Sequence, residues 1–280
     1  MKFRGLNIGL FSVLSSYYFF YMWQSIILSF IFGLIIGSFL NVVICRLPRE
    51  ETLHGRSRCP HCRRTLAWFE LVPVLSFVVL TRKCRTCKTV ISWQYPLVEL
   101  ATALLFALSV SLRLPELEPL TLSSILAVLR DWIVISALLV TFATDLTSQL
   151  IYDAVLFAAG VLAFLLGVFS GNPLPTTLLG GILGASFFGL QYLISKGIWI
   201  GAGDIVLGGF LGIVLGFPNV FVALALAYVL GLVVALPLLA CNKKQWGSRI
   251  AFGTFLSVAG IITFFWGNKI LDWYFNLILM

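Results

Sequence analysis

Apolar runs of about 20 residues recur along most of the chain, near 22–44, 95–112, 132–150, 154–170, 177–195, 199–216, 219–240 and 251–268. That is the length of α-helix needed to cross the hydrocarbon core of a bilayer. Short connections such as GNPLP (171–175) and FPN (217–219) join them. The pattern predicts eight helices in an all-α protein. The first 22 residues combine a basic start with an apolar stretch, as a secretory signal does. No small-residue cleavage site leading into a polar mature chain follows, so the stretch is expected to extend the first helix, with a separate ninth segment as the alternative. Low-complexity tracts are absent, and no internal repeat stands out.

Composition turns apolar helices into membrane helices. Hydrophobic residues make up 60% of the 280, charged residues only 11%, and the mean hydropathy is +1.03. A water-soluble domain cannot hide that much apolar surface, so a polytopic membrane protein embedded in the lipid bilayer is expected.

One stretch breaks the pattern. Residues 46–94 are too polar to cross, and they hold ten of the nineteen basic residues against only Glu50, Glu51 and Glu70. Basic loops flanking membrane helices stay in the cytoplasm. This rule accounts for the charge without a nucleic-acid ligand, the other reading of a basic cluster. The organisation expected is an N-terminal segment with the first helix (1–45), a cytoplasmic loop domain (46–94) and a multi-helix membrane domain (95–280). With the loop inside, the helices alternate. Lys196, Lys243, Lys244 and Arg249 then fall inside, while Lys2, Arg4, Arg113, Arg130 and Lys269 fall outside with Glu116, Glu118, Asp131 and Asp272. The basic balance is 14 inside to 5 outside.

The loop also contains two C-x-x-C pairs, Cys59/Cys62 and Cys84/Cys87, separated by 21 residues. Four thiolates so paired fit a tetrahedral structural zinc site. Two disulfides would need an oxidising compartment, which the charge-derived topology argues against. A loop of about 50 residues holds too little apolar material to fold alone, and a bound metal remedies that. His61 reads as a bystander; Cys45 and Cys241 read as packing residues.

Few acidic residues lie in or at the ends of the apolar segments: Glu99, Asp145, Asp153 and Asp204. Ionisable groups there are functional candidates by default. In the alternating topology FATDLTSQLIYD (142–153) descends to the cytoplasmic end of its helix, and GAGD (201–204) begins a later one at the same side. Asp145 and Asp204 thus share a depth although 59 positions separate them. Two aspartates meeting in a partly dry site share a proton, and one can deprotonate water as in an aspartic protease. Gly201 and Gly203 would let the backbone approach a neighbouring helix or a substrate strand closely. On these grounds alone a proton-coupled transporter fits as well as a protease, and a zinc-loop scaffold for secretion machinery is a third class.

Further motifs separate the readings. GSFLNVVICRLPR (37–49), SRCPHC (57–62), LVPVLSF (71–77), YPLVELATALLF (95–106), TDLTSQLIYD, GAGD and IAFGTFLSVAG (250–260) follow in this order. In this set the chain resembles the type IV prepilin peptidases, bifunctional leader peptidases and N-methyltransferases of bacterial pilus and type II secretion systems. The resemblance implies Asp145 and Asp204 as the catalytic pair, Asp153 in support, and Cys59, Cys62, Cys84 and Cys87 as zinc ligands. It implies prepilin or pseudopilin substrates cut at the cytoplasmic face of the inner membrane after the leader's final glycine. It also implies S-adenosylmethionine as methyl donor. No glycine-rich nucleotide fingerprint is visible for that donor; Glu99, in the region 37–99, is a candidate there, or a buried acid holding the zinc loop against the helices. Tyr152, Thr147, Val206 and Ala251 depart from the family pattern, which commonly has Pro, an acid, a basic residue and Pro at those positions.

Overall fold

The structure is a computed structural model and describes residues 8–113, 121–240 and 251–278. Lys2, Arg4, Glu116, Glu118, Cys241, Lys243, Lys244 and Arg249 lie outside the described residues. Within them the chain is helical, and its only β pairing is two isolated bridges. The helices are α1 (Ile8–Arg46), α2 (Leu75–Val79), α3 (Gln94–Arg113), α4 (Leu122–Ser148), α5 (Asp153–Phe169), α6 (Leu174–Ser195), α7 (Ala202–Leu215), α8 (Asn219–Ala240) and α9 (Phe252–Ile278). α1 runs unbroken from Ile8, which matches the expected extension of the first helix and leaves no separate segment there.

Eight of the nine are the expected long helices. Six of these, α1, α3, α4, α6, α8 and α9, are long and apolar enough to cross a membrane. The protein is therefore a multi-pass membrane protein. The other two are apolar but shorter, with 17 residues in α5 and 14 in α7. At 1.5 Å per residue α7 reaches only about 21 Å, against about 30 Å of hydrocarbon.

The chain forms two compact units. The first comprises residues 1–39 and 57–121. In it α1 and α3 pack through Gly33 and Gly37, a small-x-x-x-small pair that lets helix backbones approach. A Cβ on Gly33 would lie 2.6 Å from Ala103 Cα, and one on Gly37 2.7 Å from Glu99 Cα. Between these helices the chain makes a small lobe of two cysteine knuckles, a 3-10 turn (Trp68–Leu71) and α2.

The second unit comprises residues 40–56 and 122–280. Its core gathers on α7, whose Leu207 and Leu211 are fully buried together with Leu138 of α4 and Leu256 of α9. The closest pairing is α6 against α7. Gly180 and Gly184 face Gly212 and Gly208 so tightly that the carbonyl oxygens of Gly212 and Gly208 occupy the space of a Cβ on the opposite helix.

α4 departs from expectation. It begins ten residues earlier than the predicted 132, so Arg130 and Asp131, expected beyond its outer end, sit inside it and are buried. A buried cation must meet acceptors. Arg130 Nη2 donates to Val214 O at 2.6 Å, and its guanidinium lies 5.7 Å from the Phe264 ring centroid. The carbonyls ending a helix carry partial negative charge and lack intrahelical donors; Arg130 supplies one to the short α7.

The glycine contacts give a test within one helix. Gly184→Val has no room and should cost at least about 1–3 kcal/mol. Gly189→Ala, five residues along α6 with nothing within 4 Å of its Cβ position, should stabilise by roughly 0.5–1 kcal/mol. Thermal melts of the two purified variants in detergent measure both.

Candidate active site

Three helix ends meet in the second unit: the C-terminus of α4 and the N-termini of α7 and α9. The two N-termini contribute backbone N–H groups that a helix leaves unsatisfied, and α4 contributes a carboxylate. Asp204 occupies the first turn of α7, after Gly201 as N-cap. Its Oδ2 accepts the N–H of Gly201 at 3.1 Å, so the carboxylate caps its own helix at the positive end of the dipole. Its Oδ1 is buried with no hydrogen-bond partner.

Asp145 lies in the last turn of α4, where the dipole disfavours a carboxylate. Its donors come from elsewhere. Oδ2 accepts the backbone N–H of Thr254 at 2.6 Å and the Thr254 hydroxyl at 2.9 Å. Thr254 is in the first turn of α9, so that N–H is one the helix itself cannot pair.

Both carboxyl groups are buried, Asp145 to 4% exposure and Asp204 to 8%. They are close enough for the charge of one to act on the other. Ile151, in the segment linking α4 to α5, packs between their supports. A Cβ on Gly203 would lie 2.8 Å from Ile151 Cβ; one on Gly253 would lie 2.9 Å from Ile151 Cδ1 and 3.0 Å from Asp145 Oδ2. The space beside Gly203 is taken by the Ile151 side chain; Gly201 is exposed, and a Cβ there would stand an ordinary 3.6 Å from Asp204 Oδ2.

Asp153 is exposed and opens α5, after Tyr152 as N-cap. There it complements the helix dipole. Thr147, where the family often has an acid, turns its hydroxyl back onto Ala143 O at 2.7 Å. Val206 packs against the apolar core.

Thr254, Gly253 and Ile151 were not singled out from the sequence, nor was Tyr228. Tyr228 lies within electrostatic range of Asp204, donates to Gln191 Oε1 at 2.9 Å, and its ring stands 5.0 Å from that of Phe252. The only sequence signal for the first two was the motif IAFGTFLSVAG, which does not say what Thr254 touches.

In the first unit the four expected cysteines come together. Their sulfurs all lie within 4.8 Å of one another, Cys59 and Cys87 at 3.8 Å, and none is in a disulfide. Tetrahedral zinc with Zn–S near 2.3 Å sets sulfurs about 3.8 Å apart, so the cluster can hold a metal such as zinc. Burial pushes the Cys59 thiol up to about 11, while hydrogen bonds with Thr89 draw Cys87 down to about 6. A bound cation would deprotonate all four. His61 is exposed and outside the cluster.

The knuckles correct one expectation, because they are an internal repeat at an offset of 25 positions. Cys59 N–H donates to Arg64 O and Cys84 N–H to Thr89 O, both at 2.9 Å. Leu66 N–H donates to Ser57 O and Ile91 N–H to Arg82 O. Arg58 bridges Thr65 as Lys83 bridges Val90, and Arg63 and Lys88 share positive φ. Only the cysteines and the later Trp68 and Trp93 are identical in sequence, too little to stand out in a scan. Glu70 steadies the first knuckle by accepting Arg64 Nη2 at 2.6 Å and Ala67 N–H at 2.8 Å, and Arg64 holds its carboxyl below the usual range.

Glu99 is buried in α3. Its Oε2 accepts the N–H of Val74 at 2.8 Å, and Ser38 of α1 also hydrogen-bonds to it. Val74 has φ 61°, a strained value for a β-branched residue. The acid thus anchors the lobe at a strained point.

The fold and the site define a multi-pass membrane protein with paired buried carboxyl groups at helix ends and a separate four-cysteine lobe. The Bacterial Peptidase A24 N-terminal domain matches residues 31–113, and the Type IV leader peptidase family matches residues 132–236. A prepilin leader peptidase/N-methyltransferase of Aeromonas salmonicida (strain A449) is 32% identical, over 92% of this chain and 96% of that protein. Proteins of the same description from Legionella pneumophila (30% identical, 91% and 96%) and Bacillus subtilis (strain 168) (32%, 89% and 98%) are similar to it as well. No solved structure matches the chain. The chain belongs to the type IV leader peptidase family.

Zinc binding is directly measurable. Cys59→Ser or Cys84→Ser should lower zinc affinity by more than the roughly 10- to 100-fold lost with an outer-shell partner. His61→Ala should leave it unchanged. Metal transfer to a chromogenic chelator reads both.

Proposed function

We propose that this chain removes the leader peptide from prepilins or type II secretion pseudopilins, using Asp145 and Asp204 to activate water. The observation that carries the reading is the unpartnered, buried Oδ1 of Asp204 beside a second carboxyl group. Buried polar atoms are rarely left unsatisfied, and those that are call for an explanation such as a catalytic role. The pair shares one proton. Water loses a proton to the ionised member as its oxygen attacks the scissile carbonyl, and the protonated member donates to the carbonyl oxygen. Collapse breaks the C–N bond: the amine of the mature chain leaves with the proton taken from water, and a diol hydroxyl returns its proton to the other carboxylate, restoring the pair. Base and acid belong to the pair as a unit. Thr254 is a positioning residue that holds Asp145 by two donors.

The excess of basic residues in 46–94 supports an orientation with these helix ends at the cytoplasmic face of the inner membrane. A substrate of basic leader and apolar helix would present its junction at that level. The four cysteines hold zinc, whose role is structural because protein thiolates fill all four positions. Family membership leaves the transporter reading without support.

The relatives' description also includes N-methyltransferase, and by resemblance the donor is S-adenosylmethionine. Glu99, the candidate on that side, is committed to Val74 and Ser38, and we assign it to anchoring the lobe.

Co-expression with a prepilin tests the peptidase. Asp145→Asn and Asp204→Asn should each abolish the mobility shift of leader removal while the protein still inserts. Full cleavage by purified Asp204→Asn would overturn the assignment. Thr254→Val keeps the N–H and loses one hydrogen bond to a charged group, so cleavage should slow roughly 10- to 100-fold.

A further inference from the structure

The four-cysteine lobe carries an apolar face that its own fold leaves open. Trp68 is 79% exposed, Leu75 64%, Val78 66% and Val79 78%. Beside them lies a groove of about 410 Å³ lined by Phe69, Val72, Leu75, Ser76, Val79, Leu80 and Arg85. A face of this kind on a lobe too polar to cross the membrane marks an interaction surface.

Three observations name the occupant. The first is charge: residues 57–94 hold seven basic side chains against one acidic one, Glu70, which is already paired with Arg64. The second is how cations and rings are combined. The Arg85 guanidinium stands 5.6 Å from the Phe69 ring centroid, and that of Arg82 5.3 Å from the Trp93 centroid. Aromatic rings beside Arg suit the headgroup level of a bilayer, where one end of the side chain is apolar and the other wet. The third is position. Trp93 immediately precedes α3, a membrane-spanning helix, and its ring lies 5.0 Å from that of Phe77 in α2. This contact ties α2 to the level at which α3 enters the bilayer.

We propose that the face formed by the Trp68–Leu71 turn and α2 rests on the surface of that same membrane. Trp68, Leu75, Val78 and Val79 insert among the acyl-chain ends, and Arg82 and Arg85 meet the phosphates of anionic phospholipids. Apolar insertion and attraction to anionic lipid reinforce each other. Zinc then has a second consequence: by fixing the knuckles it fixes the angle at which this face is presented.

Hydrogen exchange of residues 68–80 in the full-length protein tests this, in three settings: nanodiscs of phosphatidylglycerol and phosphatidylethanolamine, nanodiscs of phosphatidylcholine, and detergent. Each cation near an anionic surface contributes about fivefold, so exchange should be roughly tenfold or more slower in the anionic discs than in phosphatidylcholine. A Val78→Ser/Val79→Ser variant that retains its zinc should lose most of this protection. Equal exchange in all three settings overturns the proposal. So does protection that needs a second copy in the same disc, or that appears only when a prepilin is added. The comparison between lipids uses the wild-type chain, so it stands even if the variant does not fold.

Discussion

A carboxylate held among membrane helices needs donors that water does not supply, and the architecture of the second unit follows from where those donors are found. Every helix begins with backbone N–H groups it cannot pair. Asp204 takes one from its own helix, by reaching back to Gly201. Asp145 sits at the wrong end of its helix for that and takes its donors from Thr254, 109 positions away. The C-terminus of α4 and the N-termini of α7 and α9 must therefore meet at one level. This arrangement also leaves one oxygen of the pair unsatisfied.

The glycines of α6 and α7 let those two helices pack at backbone distance, and Gly203 and Gly253 make room for Ile151 where the three ends meet. α7 is short, so its far end stops within the protein, where the buried Arg130 donates to Val214 O. One charged group thus pairs a carbonyl at the end of the helix at whose other end Asp204 lies, and it is Arg130, which from the sequence looked like an outer-end charge.

The first unit follows a different logic. Its lobe has two copies of one knuckle, each closed by the same backbone hydrogen bonds, and their sulfurs converge on a site of zinc dimensions. Glu99 secures this lobe to α3 through the strained Val74, and Glu70 braces its first knuckle. Little of its cohesion comes from an apolar core: apart from Phe77 against Trp93, the apolar side chains of α2 and the Trp68–Leu71 turn are turned outward.

The sequence by itself determined the class of the fold, because runs of about 20 apolar residues leave helices spanning a bilayer as the economical solution. It also carried the cysteine spacing, the depth shared by Asp145 and Asp204, and the ordered motifs of the family. Each of these is a local pattern or a count along the chain. Only the tertiary structure decided that Thr254 holds Asp145, that Ile151 packs between Gly203 and Gly253, and that Arg130 donates to Val214 O. These are contacts between helices whose rotation about their own axes periodicity leaves undetermined in a chain so uniformly apolar. The repeat of the knuckles escaped a linear reading for a related reason. It is written in backbone hydrogen bonds, and those depend on the turn each segment adopts more than on which residues adopt it.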